Sequence, residues 1–63
     1  MNYRPYLAEY SWYVAKFDAS GNRVPMSGMS MSFVWQYEAL EYANDINRAN
    51  GYPLARLAYP GQL

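Results

Sequence analysis

The chain has 63 residues without cysteine or histidine, and five basic residues balance five acidic ones. This length predicts one small domain over 1–63. Because cysteine is absent, no disulfide can stabilise the domain, and without cysteine and histidine it is ill suited to a structural zinc. An apolar content of 52% is too high for a disordered chain, and the lack of net positive charge makes nucleic acid an unlikely partner.

The first ten residues are aromatic but show no regular alternation, and Pro5 interrupts a strand or fixes a turn. They predict an irregular aromatic N-terminal arm over 1–10. In it, Tyr3 and Tyr6 pack over the core edge or reach a partner. Nothing here has the apolar run of a secretory signal, and no stretch approaches the ~20 apolar residues of a membrane span. We therefore expect a cytoplasmic protein without membrane contact.

Aromatic and β-branched residues concentrate in 11–18, which predicts a strand. Alternation places Trp12 and Val14 on one face and Tyr13 and Phe17 on the other. Because both faces carry rings, both need cover, and we expect the first pair to face inward.

A turn over 18–22 is predicted by Asp18 and Gly21, and it leads into a hairpin. Serine and methionine then alternate, which predicts a second strand over 29–33 with Met29, Met31 and Phe33 facing inward. Pro25 marks it as an edge or bulged strand.

One amphipathic helix is predicted over about 33–50, with Ser32 as the best N-cap by residue type and a start a few residues later as the alternative. Gly51 and Pro53 end it. At 100° per residue, its apolar side contains Trp35, Ala39, Tyr42, Ala43, Ile46 and Ala49. Its polar side contains Tyr37, Glu38, Glu41, Asn44, Asp45 and Arg48.

Weak alternation over 54–59 predicts a last strand. Strands and helix in this order give an α+β fold, a two-layer ββαβ domain. Its three-stranded, mostly antiparallel sheet packs on the one helix. The expected core contains Trp12, Val14, Met31, Phe33, Trp35, Ala39, Tyr42, Ala43, Ile46, Leu54 and Leu57.

Catalytic machinery is not indicated. Most acid–base and nucleophilic chemistry needs histidine, cysteine or an activated lysine, and the chain has only Lys16 among these. Glu38 and Glu41 lie one turn apart, but a charged outer face is the norm for a helix on a sheet. We expect a non-enzymatic protein with no cofactor and no metal.

A docking surface is the remaining hypothesis. Glu38, Glu41 and Asp45 form a negative patch beside Tyr37, which suits a basic groove on a larger protein or protein complex. The second aromatic face of the first strand, with Tyr13 and Phe17, is the other candidate for protein binding.

The short length and the cysteine-free, aromatic-rich composition of the chain then favour a small protein-binding module, an inhibitor or adaptor. Short, cysteine-free, aromatic-rich domains are frequent among phage products that block bacterial machinery by occlusion, including anti-CRISPR proteins, and such a protein would act in the host cytoplasm. Two alternatives stay open: a self-associating structural protein, for example a homodimer, or a weak single-stranded nucleic-acid binder that uses the aromatic sheet face.

Overall fold

A single helix packs on one face of a two-stranded antiparallel sheet in the computed structural model, which describes residues 1–25 and 31–56. Its elements are β1 (Asn2–Ala8), β2 (Ser11–Phe17) and α1 (Gln36–Asn50). The predicted α+β class is confirmed. The predicted three-stranded sheet is not, since the described residues form two strands.

The prediction of an irregular N-terminal arm is wrong, because that stretch forms β1. It pairs with β2 along its whole length, from Asn2 opposite Phe17 to Ala8 opposite Ser11. Its aromatic residues were the strand signal, since rings fit a half-buried pleated surface. Pro5 concealed that signal.

Pro5 is tolerated because of its position in the ladder. The N–H and C=O of Trp12 both bond to Phe33 at 2.8 Å, so Trp12 turns its backbone groups away from β1. The direction of the N–H and C=O groups alternates from one residue of a strand to the next, so those of Val14, two residues after Trp12, also point away from β1. Pro5 lies opposite Val14 and turns its own groups outward, so the ladder needs no N–H from it.

The turn predicted after β2 is confirmed. Asp18 Oδ1 accepts the backbone N–H of Ser20 at 2.9 Å and of Asn22 at 3.0 Å. Gly21 takes a φ of +86°, which glycine adopts without steric penalty. The chain then reverses, and Arg23 forms an antiparallel bridge to Phe17.

The second predicted strand is reduced to one bridge within the described residues. Phe33 pairs with Trp12, whereas Met31 is 50% exposed and does not face inward as predicted. Met29 lies outside the described residues.

The helix begins at Gln36, three residues later than predicted, and Trp35 rather than Ser32 is its N-cap, without a side-chain bond. Its C-terminus follows the prediction. Gly51 has a φ of 71° and donates its N–H to Arg48, while Tyr52 donates to Asn47 at 2.9 Å. This paired arrangement satisfies two terminal carbonyls and requires the left-handed conformation at Gly51.

The core confirms the inward face predicted for β2. Val14, Ala39 and Ala43 are fully buried where β2 meets α1, and Trp12, Phe33 and Tyr42 pack against them. Three members of the expected core are wrong: Met31, Trp35 and Leu54 are 50%, 58% and 51% exposed. Leu57 lies outside the described residues.

Two asparagines complete the buried side of the helix, which the apolar pattern did not predict. Asn47 is fully buried and Asn44 is 8% exposed. The buried arc is therefore rotated by roughly a quarter turn from the predicted one, toward these amides.

Asn47 acts as a substitute strand partner for the outer edge of β1. Its Oδ1 accepts the N–H of Tyr3 at 2.7 Å, and its Nδ2 donates to the C=O of Tyr3 at 3.0 Å. The same Nδ2 donates to Asn44 Oδ1 at 2.9 Å. One amide thus satisfies both backbone groups of an edge residue and ties α1 to β1.

Asn44 holds the chain after the helix in the same way. It accepts the N–H of Ala55 at 2.7 Å and donates to its C=O at 3.2 Å. The strand predicted over 54–59 is therefore wrong for 54–56, where the backbone of buried Ala55 is paired with a side chain instead of a strand. Residues 57–59 lie outside the described residues.

Candidate functional site

The residues predicted to bind a partner lie on two surfaces separated by the sheet. Tyr37, Glu38, Glu41 and Asp45 lie together on the exposed side of α1. Tyr13 and Phe17 project from the opposite face of β2, because they alternate with Val14, which packs against the helix. They therefore belong to two separate candidate sites.

We define the helix surface as Val34, Trp35, Tyr37, Glu38, Glu41 and Asp45. Residues three and four apart are neighbours on a helix, so Glu41 lies beside Glu38, Tyr37 and Asp45. Trp35 precedes Glu38 by three positions. The rings thus flank the carboxylates on two sides, in the first turns of α1.

The apolar side chains of the helix surface are unusually exposed. Trp35 and Tyr37 are each 58% exposed, and Val34 is 75% exposed. Trp35 is directed outward because α1 starts only at Gln36 and turns its asparagine side toward the sheet. Large aromatic side chains with this much exposed area are candidates for contact with a partner.

The carboxylates of the helix surface differ in their partners. Asp45 Oδ1 lies 3.2 Å from Arg48 Nη1, in an exposed ion pair. Neither Glu38 nor Glu41 has an ion-pair partner among the described residues. The unpaired negative charge is therefore next to the two rings.

We define the outer face of the sheet as the side chains of Arg4, Tyr6, Tyr13 and Phe17, on the side away from α1. Tyr6 stacks on Tyr13 with ring centroids 5.8 Å apart and meets Phe17 edge-on at 6.4 Å. Arg4 lies 5.5 Å from the centre of the Phe17 ring. Fully buried Ala15 lies beneath them, so these large side chains are the cover of this face.

Sequence reasoning missed Trp35 and Arg4 as functional candidates, and it gave Tyr6, already a candidate for contact with a partner, the wrong local structure. Trp35 fell on the predicted apolar side of the helix. Arg4 and Tyr6 were assigned to an irregular arm, although Arg4 and Tyr6 are spaced by two and so share a face in any strand. Reading that spacing would have placed both beside Tyr13 and Phe17.

Among the described residues, no three carboxylates are grouped closely enough to hold a metal ion. Within the same ranges, no helix combines the length and apolar character needed to cross a membrane.

No protein-family model matches this chain, and the searches of curated proteins and of solved structures found no match either.

Proposed function

We propose that this chain is a non-enzymatic protein-binding module whose helix surface docks on a partner with an apolar pocket bordered by basic groups. The observation that carries the proposal is the exposure of Trp35, Tyr37 and Val34 beside two unpaired carboxylates. Tryptophan and tyrosine are the residue types that dominate binding energy at interfaces.

The rings and the carboxylates are expected to contribute different amounts of binding free energy, and so to have different roles. A buried aromatic ring covers about 150–250 Å², so burying the exposed part of Trp35 contributes roughly 2–4 kcal/mol at about 25 cal/mol per Å². An exposed ion pair to Glu38 or Glu41 contributes about 0–1 kcal/mol. We therefore propose that the rings provide the affinity, and that the carboxylates accelerate association and orient the partner.

Charge also argues for a foreign partner over a second copy. A dimer related by a two-fold axis through the helix surface would bring Glu38 and Glu41 of one copy toward the same residues of the other. Like charges facing each other across an interface are unfavourable. A partner with basic groups meets the same rings without that repulsion.

Such a module is an inhibitor or an adaptor, and both act by docking on a partner. For an inhibitor, we propose that the bound module blocks the working site of a larger partner. A bacterial defence complex attacked by a phage protein, as for anti-CRISPR proteins, is one such partner. Support for that assignment comes from the size and type of the chain only.

The test is affinity capture compared across matched variants. Tyr10 is an exposed tyrosine in the β1–β2 turn, so Tyr10→Ala controls for Tyr37→Ala. We expect a partner retained by the wild type and by Tyr10→Ala to be lost with Trp35→Ala and Tyr37→Ala. Glu38→Lys with Glu41→Lys should weaken retention, most strongly at low salt.

Circular dichroism of each variant checks that α1 is intact, which is expected because the exchanged side chains are exposed. Retention of the same partner by Trp35→Ala would contradict the proposal. A light-scattering mass of a dimer that becomes a monomer in Trp35→Ala would instead assign the helix surface to self-association.

A further inference from the structure

The second site is the outer face of the sheet, on the side of the molecule opposite the helix surface. The ring of Tyr6 contacts those of Tyr13 and Phe17, and Arg4 lies over Phe17. Arg23, which follows the turn after β2, reaches back over the ring of Tyr6 at 5.3 Å and donates Nη1–H to its hydroxyl at 3.0 Å. Rings and guanidinium groups thus form one continuous layer.

The guanidinium groups of this layer retain most of their hydrogen-bonding capacity. Each guanidinium has five N–H donors. Arg4 Nε donates to Asn2 Oδ1 at 2.7 Å, and Arg23 uses Nη1 on Tyr6. Neither arginine forms an ion pair with a carboxylate among the described residues, where the only such pair joins Arg48 to Asp45 on the helix.

A third cation borders the same region. A cleft of about 740 Å³ opens beside β1, and its lining includes Arg4, Phe17 and the exposed Arg56. The nearby carboxylate of Asp18 is engaged through Oδ1 by two backbone N–H groups of its own turn. Arg4, Arg23 and Arg56 therefore lie around this region, whereas Glu38 and Glu41 lie on the helix side.

We propose that the outer face of the sheet binds single-stranded nucleic acid, with Arg4 and Arg23 on phosphates and the rings of Tyr13 and Phe17 against bases. The fork geometry of arginine allows bidentate hydrogen bonds to phosphate, as it does to carboxylate. Aromatic rings on a sheet can stack on bases that are not already stacked in a duplex. Such a face therefore prefers single strands. The zero net charge of the chain does not oppose this, because binding depends on the charges within reach of the strand.

Few phosphates can be contacted by so small a face, which sets the expected behaviour. With two or three contacts, log K should fall with log salt at a slope between about −1.4 and −2.1. Binding is therefore expected to be weak, and easily lost between low and physiological salt.

The experiment is fluorescence anisotropy of a labelled ten-residue oligothymidylate with the full chain, at 50 mM and 200 mM salt. The matched duplex and polyglutamate serve as comparison ligands. Arg23→Gln and Arg48→Gln remove the same charge from the two sides of the molecule, and Tyr13→Leu removes a ring without changing charge. Arg23 and Arg48 are both exposed, so these exchanges leave the core untouched.

We expect Arg23→Gln to weaken binding about threefold to tenfold and to reduce the salt slope by about 0.7, since one phosphate contact is lost. Tyr13→Leu should weaken binding about tenfold with the slope unchanged, because stacking is lost but charge is kept. Arg48→Gln should bind as the wild type does.

Three results would overturn the inference: no binding at 50 mM salt, equal effects of Arg23→Gln and Arg48→Gln, or polyglutamate bound as tightly as the oligonucleotide with no effect of Tyr13→Leu. The last would identify a site for acidic protein segments. Backbone amide shifts of the wild type on titration with oligothymidylate provide a readout that needs no variant. Shifts confined to α1 would contradict the assignment.

Discussion

The asparagine pair inside the helix–sheet interface gives the sharpest stability prediction. Asn47→Ala removes three hydrogen bonds from a fully buried position: two to the backbone of Tyr3 and one to Asn44. Asn44 keeps its bonds to Ala55, so the orphaned groups are the N–H and C=O of Tyr3. The exchange thus leaves two peptide groups of a strand without a partner.

The expected loss follows from those two groups. A buried polar group left without a partner costs about 1–3 kcal/mol, and Tyr3 is half-buried, so water can reach part of the gap. We expect Asn47→Ala to lower the free energy of unfolding by about 2–4 kcal/mol. At roughly 0.05–0.15 kcal/mol per residue, a domain of this size has only about 3–9 kcal/mol in total. The variant is therefore expected to be largely or partly unfolded at 37 °C.

Urea denaturation followed by circular dichroism and tryptophan fluorescence measures this loss, and Asn50→Ala is the matched control. Asn50 is an exposed residue of the same helix whose amide donates one bond, to Ile46. Its replacement should change the free energy of unfolding by less than about 0.5 kcal/mol. If Asn47→Ala loses less than about 1 kcal/mol, or no more than Asn50→Ala, the amide does not act as a strand partner and the reasoning is refuted.

Three further changes test the backbone and the core by thermal unfolding. Gly51→Ala should lower the free energy of unfolding by about 1–2 kcal/mol, because alanine is strained at a φ of 71°. No atom lies within 4 Å of the added methyl group, so the loss comes from the backbone alone. An unchanged melting temperature would contradict the left-handed cap. Glu9→Gly should raise stability by up to about 1 kcal/mol, since Glu9 holds a φ of 57° in the β1–β2 turn; a destabilised variant would show that the turn is not strained. Val14→Ala should cost about 2 kcal/mol through a cavity between β2 and α1, and a loss below 0.5 kcal/mol would place Val14 outside the core.

Local signals in the sequence were sufficient for the elements with conventional chemistry. The strand over Ser11–Phe17 follows from its aromatic and β-branched residues, and the turn at Asp18 and Gly21 from residue types that bond their own backbone or accept positive φ. The end of the helix follows from Gly51. In each case the residue type alone restricts the backbone.

The candidate site was predictable only in part. The exposed acidic row of Glu38, Glu41 and Asp45 follows from helical spacing, because charged side chains stay in water. Trp35 was not predictable as a surface residue. Its exposure depends on the late start of the helix at Gln36, and a tryptophan is assigned to the core by any hydrophobic pattern.

What the sequence by itself determined is the α+β class, the strand Ser11–Phe17, and the existence and end of the helix, because these depend on neighbours along the chain. The tertiary structure decided the rest. Pro5 fits in a strand because its partner Val14 needs no hydrogen bond from it. Asn47 and Asn44 are buried because they bond to the backbones of Tyr3 and Ala55, which are distant in sequence. A hydrophobic scale ranks asparagine as a surface residue, yet its amide is the side chain that most closely reproduces a peptide group. Only the meeting of α1 with an open strand edge makes that property decisive.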